Sequence, residues 1–531
     1  MTDRGLGALE ARAPGGPRVT DDARTAGQGG IAVLGAKVFF LVVGFVQQPL
    51  LRLAVGLSDF GGLAQAMVVA NTVNNVVIAS GTQGVSRAVA GAPGREPEAL
   101  RAALRVHVPI AVAAVMATAA PIYARFENAH DVIPPLLVLA MVALLYGLYA
   151  PLIGYLNGTR RWRRQAALDV TFGTLRTLGL VGFGYAFARH GLSGVLGTTI
   201  GWVAAAACIV PLAVSSTGLG ARAVRVADGA ARPAGIPSSG AYVAMLLPIA
   251  GAQLCTNALL QMDIALLGRF LSQSAGAGLD GEAQREAVKA WVAIYKECQT
   301  FAFLPYQLLF SITLILFPML ARARAEGDEA AVRTYVARGC RLAAIFGGLL
   351  VCVIVAMPES MLSFAYGAAD AARGADVLRV MALAQGAFTM LGIATTVLTS
   401  LGRERSAALI TLGAVVAVAL SCAVLVPGAP FGHAQLVRSA EATGGALVVS
   451  LIVAGAMVRA RARAFVPLAT GIRVGAALAI CTAIGFAMPR FGRLLTPGIA
   501  LVIAAVYGLL LLVTGEIGPA DLALVRAIRS K

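Results

Sequence analysis

Hydrophobic residues recur in this chain as runs of about twenty, separated by short segments that hold most of the arginines. A helix of that length, rising 1.5 Å per residue, just crosses the hydrocarbon core of a bilayer. We read fourteen such spans. They are 30–53, 64–86, 106–123, 133–156, 167–187, 194–215, 240–268, 290–318, 342–357, 377–401, 407–426, 437–458, 474–488 and 496–515. The expected fold class is an all-α integral membrane protein with about 14 transmembrane helices. Composition supports this, with 58% hydrophobic and 13% charged residues and a mean hydropathy of +0.80. A soluble domain carries about 25% charged residues.

The arginines set an orientation. With the N-terminus inside, cytoplasmic segments hold 29 of the 43 Lys and Arg, external loops 8 and the spans 6. Short loops carry much of that bias, as in Arg160, Arg161, Arg163 and Arg164, and in Arg459, Arg461 and Arg463. Positive charge in short loops marks the cytoplasmic side, and an even number of spans returns Arg526, Arg529 and Lys531 to it. The net charge of +17 is then a matter of topology, and no nucleic-acid partner is called for. Residues 1–29 are polar and read as a disordered cytoplasmic tail. No cleaved signal peptide is expected, because no short apolar core with a small-residue cleavage site opens the chain. The seven cysteines lie singly, mostly within spans, and read as small buried hydrophobes rather than a disulfide framework.

No loop is long enough to hold a soluble domain; the longest are 216–239 inside and 269–289 outside. The first divides the chain into six-span lobes, 30–215 and 240–458, followed by two further spans at 459–515 and a tail at 516–531. The lobes echo one another. Leu156-Asn157-Gly158 leads through arginines to Ala166-Ala167-Leu168, and Leu401-Gly402 leads through Arg403 and Arg405 to Ala407-Ala408-Leu409. Facing repeats around a central site are a common transporter plan.

Charge within a span is expensive unless it meets a wet cavity or a partner. Lys37, Arg52, Asp169, Arg176, Asp263, Lys296, Glu297, Arg379, Arg438 and Glu441 all lie in or at the edge of spans. At about 100° per residue, Lys37 shares a face with Gln48, and Arg52 follows one turn later. Asn71 and Asn75 begin a polar stripe in the second span that Arg87 closes. Asp169 and Arg176 share a face of the fifth span. In the seventh, Asn257 and Asp263 occupy different faces, which places that helix among others. The structural alternatives remain open: Asn in spans also bonds neighbouring helices, Arg52 and Arg87 can snorkel to headgroups, and Arg438 with Glu441 can form a local i,i+3 pair. No enzyme signature is present, neither a metal-binding His/Cys spacing nor a phosphate loop nor a nucleophile elbow, so no catalytic residue, metal site or cofactor is expected.

Residues 47–90, QQPLLRLAVGLSDFGGLAQAMVVANTVNNVVIASGTQGVSRAVA, resemble the opening of Wzx-type polysaccharide flippases, where an Arg- and Gly-bearing turn joins the first two spans. Residues 155–170, YLNGTRRWRRQAALDV, look like the family's fourth loop. Residues 258–271, ALLQMDIALLGRFL, and 295–320, YKECQTFAFLPYQLLFSITLILFPML, resemble its seventh and eighth spans. That family belongs with MurJ, the lipid II flippase, and the MATE exporters in the MOP superfamily. The resemblance runs through residues 30–460. It implies a flippase of the bacterial cytoplasmic (inner) membrane that moves an oligosaccharide on polyprenyl pyrophosphate outward by alternating access, for cell-surface polysaccharide synthesis.

On that reading Lys37, Arg52, Arg87, Arg176 and Lys296 supply cations for the pyrophosphate, and Gln48, Asn71, Asn75 and Asn257 line the path with groups for sugar hydroxyls. Asp169, Asp263 or Glu297 would bind a coupling H⁺ or Na⁺. The expected partners are the lipid-linked glycan, membrane lipids and a polysaccharide polymerase or other assembly protein, with the transporter itself a monomer. The alternatives are a MurJ-like lipid II flippase, a MATE-like cation antiporter and a membrane-embedded polysaccharide polymerase. A cationic cargo would favour acidic spans, whereas the span charges net +2. A polymerase would need a long external loop.

Overall fold

In a computed structural model, residues 19–119, 133–218, 236–275, 281–489 and 492–518 are described. They form sixteen helices and no strands. In chain order these are α1 (Val19–Val55), α2 (Leu57–Ala90), α3 (Glu96–Ala119), α4 (Ile133–Gly158), α5 (Trp162–Arg189) and α6 (Gly194–Thr217). There follow α7 (Ser239–Ser274), α8 (Gly281–Ala302), α9 (Leu304–Ala325), α10 (Glu329–Ala356), the short α11 (Pro358–Ala365) and α12 (Ala368–Ser400). The chain continues with α13 (Glu404–Leu425), α14 (His433–Ala462), α15 (Leu468–Ala487) and α16 (Thr496–Val513). Twelve of them are long and apolar enough to cross a membrane. Two of the expected spans lie outside that set of twelve. These are α5, which carries Arg163, Arg164, Asp169 and Arg176, and the α8–α9 pair, of which α8 carries Lys289, Lys296 and Glu297. With both counted, each of the fourteen spans read from the sequence has its helix.

Several boundaries differ from the sequence reading, and each difference has a local cause. α1 begins at Val19, inside the segment read as a disordered tail; the remainder of that tail, 1–18, lies outside the described residues, as do 219–235 of the linker and 519–531 of the C-terminal tail. The loop expected at 269–289 is mostly helix, since α7 runs to Ser274 and α8 starts at Gly281 with two polar turns. The span read as 290–318 is broken at Phe303. Pro305, in the first turn of α9, has no N–H to continue the ladder of α8.

α1–α6 pack into one lobe and α8–α14 into a second, each around its own buried core. Lipid offers no hydrophobic drive for helices to associate, so close packing decides where they touch. A Cβ at Gly201 would lie 2.0 Å from the Gly179 carbonyl oxygen, so α5 and α6 cross backbone against backbone. α15 and α16 form a third, smaller core with α10 around Cys352, Cys481, Ile503 and Tyr507. They are pinned at one end by the buried Glu516, which accepts from Arg341 Nε (2.8 Å), Arg473 Nη1 (3.0 Å) and Thr470 Oγ1 (2.7 Å). At the other end the Arg379 guanidinium sits 4.1 Å from the Phe486 ring centroid.

α7 belongs to both lobes. Tyr242 and Leu246, in its first turns, are part of the first lobe's core, while Leu259, Ile264, Leu267 and Leu271 are part of the second's. The packing boundary therefore runs through α7, downstream of the 216–239 linker at which the sequence divides.

Candidate functional site

Alternate helices turn back at opposite ends of the bundle, and the short turns at one end are arginine-rich. There Arg161 and Arg164 donate to the carbonyls of Thr217 and Ser216, placing positive charge on the C-terminus of α6. We call this the basic end. The interface between the lobes is built differently at its two ends.

At the end away from the arginines, α1 stops at Val55, and Gly56 (φ 86°) turns the chain into α2. The turn brings Arg52, in the last turn of α1, across to the second lobe. Its Nε donates to Glu297 Oε1 at 2.9 Å and its Nη2 to Asp370 Oδ2 at 2.7 Å. Glu297 lies on α8 and Asp370 in the first turn of α12, so one first-lobe cation bridges two second-lobe carboxylates. Their side chains are 1% and 8% exposed. Glu297 Oε2 is buried with no hydrogen-bond partner. Aromatic contacts flank the bridge, from Phe60 on α2 to Tyr366 (6.5 Å), to Phe301 (6.3 Å) and on to Phe45 of α1 (5.2 Å). Gly61 completes the contact, because a Cβ there would meet the Lys289 carbonyl oxygen of α8 at 1.9 Å. Beside it a recess of about 330 Å³ is lined by Asp59, Gly62, Ser193 and Lys289 among others, and Asp59 Oδ2 accepts from Gly194 N at 2.7 Å.

Midway along the interface, Asn75 Nδ2 donates to Asn257 Oδ1 at 2.6 Å. Nearer the basic end, His107 Nε2 and the Tyr242 hydroxyl lie 2.9 Å apart. A Cβ at Gly84 would press on Leu246. The second lobe thus meets the first at the end away from the arginines and midway, through α1 and α2 on one side and α7, α8 and α12 on the other. At the basic end the first turns of α7 dock on α2 and α3 as part of the first lobe's core.

Inside the second lobe, Asp263 is fully engaged. It accepts from the Tyr295 hydroxyl (2.9 Å), from Gln299 Nε2 (3.1 and 3.2 Å) and from the Ile264 N–H (2.8 Å). Lys296 Nζ donates to Gln299 Oε1 at 3.3 Å, so lysine and carboxylate communicate through the amide. Inside the first lobe, Arg176 stacks 5.7 Å from the Phe40 ring centroid, with its Nε buried and unpartnered. Near it Tyr146 accepts from Trp202 Nε1 at 2.8 Å. Asp169 is half-buried on the same helix.

The residues singled out from the sequence are therefore dispersed. Arg52 and Glu297 meet in the interlobe bridge, and Asn75 meets Asn257. Lys296 and Asp263 share the second-lobe network, while Arg176 and Asp169 stay in the first. Arg87 is exposed at the basic end of α2, and Gln48 and Asn71 are half-buried. Lys37 lies on α1, but its side chain is outside the described residues. Arg438 and Glu441 pair locally at 2.8 Å. Sequence reasoning missed Asp370, which reads as an ordinary acidic residue before a span. It also missed Gln47, whose buried side chain accepts from Thr177 at 3.0 Å, and the His107–Tyr242 contact, which joins two unrelated stretches of chain. No sequence signal marks any of the three.

No family model matches the chain, and no curated protein matches it. Solved structures do. A structure of the lipid II flippase MurJ in an inward closed conformation is similar with a TM-score of 0.67 and 12% identity, over 92% of this chain and 99% of that one. An inward-facing multidrug resistance MATE family transporter of the MOP superfamily gives 0.58 and 14%, over 82% of this chain and 98% of that one. A MOP superfamily transporter from Pyrococcus furiosus, described as having a binding pocket of reverse polarity, gives 0.54 and 13%, over 81% and 95%. At these identities the likeness is one of fold: the chain is built as MOP superfamily transporters are built.

Proposed function

We propose that this chain is a flippase of the bacterial cytoplasmic membrane that moves a polyprenyl-pyrophosphate-linked oligosaccharide between leaflets by alternating access of its two lobes. The observation that carries this reading is the extent of the likeness to the MurJ flippase. It takes in 92% of the chain, about a tenth more than the MATE likeness does, and α15 and α16 with their connection are of about that length. A lipid-borne cargo also suits an interface closed by an ion-pair bridge at one end, which can be broken and remade as the lobes move. Cations at Arg87, Arg176 and Lys296 would meet the pyrophosphate as the lobes part. The amide groups of Asn71, Asn75 and Asn257 suit sugar hydroxyls. The same fold likeness supports lipid II as cargo in a second reading, which shares the pyrophosphate chemistry and differs in the glycan.

The test is flipping of a fluorescent polyprenyl-pyrophosphate oligosaccharide in proteoliposomes, alongside fluorescent lipid II. Wild-type flipping that falls at least tenfold in folded Arg87→Ala and Lys296→Ala chains supports both the cargo class and its cationic contacts. Flipping of lipid II alone selects the second reading. Folded wild type that flips neither refutes the proposal.

A further inference from the structure

The interlobe bridge carries a charge imbalance. One guanidinium faces two carboxylates, and all three side chains are at least four-fifths buried. Fully ionised, the cluster holds a net charge of −1 in a low-dielectric environment, which is costly. Among the described residues the nearby cations are engaged elsewhere. Lys296, next to Glu297 on α8, turns to Gln299. Lys289 pairs with Glu286, and Arg373 of α12 stacks on Trp291. Arg341 of α10 binds Glu516, and Arg438 of α14 binds Glu441. The remaining titratable groups beside Glu297 and on the helices packed against α8 are neutral or engaged. They are the Tyr366 hydroxyl, the Cys298 thiol bonded to the Gly374 carbonyl, Asp59 of α2 bound to Gly194, and Asp263 of α7 bound to Tyr295 and Gln299.

Within this cluster Glu297 Oε2 is a buried carboxylate oxygen without a donor. A metal ion would need several converging oxygens, and among the described residues no group of three or more acidic, His or Cys side chains could supply them. A proton needs only the one oxygen. Asp263, the other acidic candidate in the second lobe, has donors on both oxygens and no vacant place.

We propose that the closed interlobe bridge holds one exchangeable proton on Glu297 Oε2, taken up when the lobes close over it and released when they part. This rests on the two-lobe alternating-access reading and assigns its coupling ion and the residue that carries it. No covalent bond other than O–H forms or breaks: the proton comes from water on closure and returns to water when the separated carboxylates are rehydrated. Because the closed state binds one proton more, acid favours it. The closed-to-open ratio falls as pH rises, by up to about tenfold per pH unit.

The experiment needs no cargo. Spin labels at Leu192→Cys and Gly428→Cys, exposed positions on the two lobes, report lobe separation in nanodiscs from pH 5.5 to 8.5. Cys208 and Cys255 are replaced by Ser; the other five thiols are buried. Wild type is expected to shift from the short to the long distance as pH rises. Glu297→Gln, which fixes the protonated shape, and Asp370→Asn, which leaves one carboxylate for one guanidinium, are each expected to abolish the pH dependence. Arg52→Ala, which removes the bridge, should give the long distance at every pH. A wild-type distribution independent of pH overturns the proton proposal, as does a Glu297→Gln chain with the wild-type slope. If Arg52→Ala lengthens the distance in that case, only the proton fails. If no variant and no pH separates the labels, the alternating-access reading fails with it.

Discussion

Removing Arg52 should open the bundle at the end away from the arginines, and the size of the effect follows from the bridge itself. Arg52→Ala leaves Glu297 and Asp370 facing each other with no cation, in positions 1% and 8% exposed. Breaking a buried ion pair by deleting one partner costs about 3–5 kcal/mol. The Arg52 side chain is 20% exposed, so some water already reaches it, and the cost is discounted below that range, to about 2–3 kcal/mol. Separation of the lobes relieves the penalty by returning both carboxylates to water, so the penalty becomes a shift of the closed–open equilibrium. At 1.36 kcal/mol per decade that is a factor of about 30–150. Ala293 provides the reporter: it lies on α8, is 0% exposed, and packs into the first lobe's core beside Gly61. In an Ala293→Cys chain lacking the accessible Cys208 and Cys255, maleimide labelling in nanodiscs scales with the open population. The Arg52→Ala background should label about 30–150 times faster, with Arg52→Lys in between. Equal rates in both backgrounds, within a factor of two, would mean that the bridge does not hold the lobes together, and the argument would be refuted.

Two other outcomes are independent of transport. Glu516→Gln should destabilise the docking of α15 and α16 by about 1–3 kcal/mol, read as a lower thermal midpoint of the purified protein. Burial alone would raise the Glu516 carboxyl, but the hydrogen bonds from Arg341, Thr470 and Arg473 more than offset it and hold the group below the ordinary carboxylate range. A depressed folded value means the contribution is present above the unfolded value and lost as pH falls through the folded one. The wild-type advantage over Glu516→Gln should therefore shrink on acidification below about pH 4, and a constant difference from pH 7 to pH 3 would contradict the assignment. Gly201→Val should force α5 and α6 apart, because the obstructing atom at 2.0 Å is a backbone oxygen that cannot swing aside. Overpacking of this kind costs about 1–3 kcal/mol or more, and an unchanged thermal midpoint would count against the crossing.

The spans were legible because bilayer thickness imposes a length on every one of them, and the helices appear where the apolar runs predict. The same signal failed where polar helix continues past the hydrocarbon, as at Gly281–Lys289, and where one proline splits a run, as at Pro305. The site was legible only by residue type. Helical periodicity places Arg52, Glu297 and Asp263 on faces of their own helices, but which faces meet depends on contacts across 245 positions for Arg52–Glu297 and 318 for Arg52–Asp370. Nothing local in the sequence records such a pairing. Asp370 was invisible for that reason, and Arg52 read as a free cation for the same one.

The dispersal of the charged residues bears on how such a protein can work. Five cations gathered permanently around one cavity would repel each other and hold a pyrophosphate too tightly to release it. Here Arg52 is held in the interlobe bridge, Lys296 is tethered through Gln299 to Asp263, and Arg176 rests against the Phe40 ring within the first lobe. A cation held in this way is available to a cargo only in the state where its present partner has moved. On the proposed function, affinity for an anionic headgroup would then be a property of one conformation, which is the differential binding that a ligand needs to shift a conformational equilibrium. Glu297 and Asp370 would serve the same cycle from the other side: when the lobes close, they compete with the anionic cargo for Arg52, and that competition favours release.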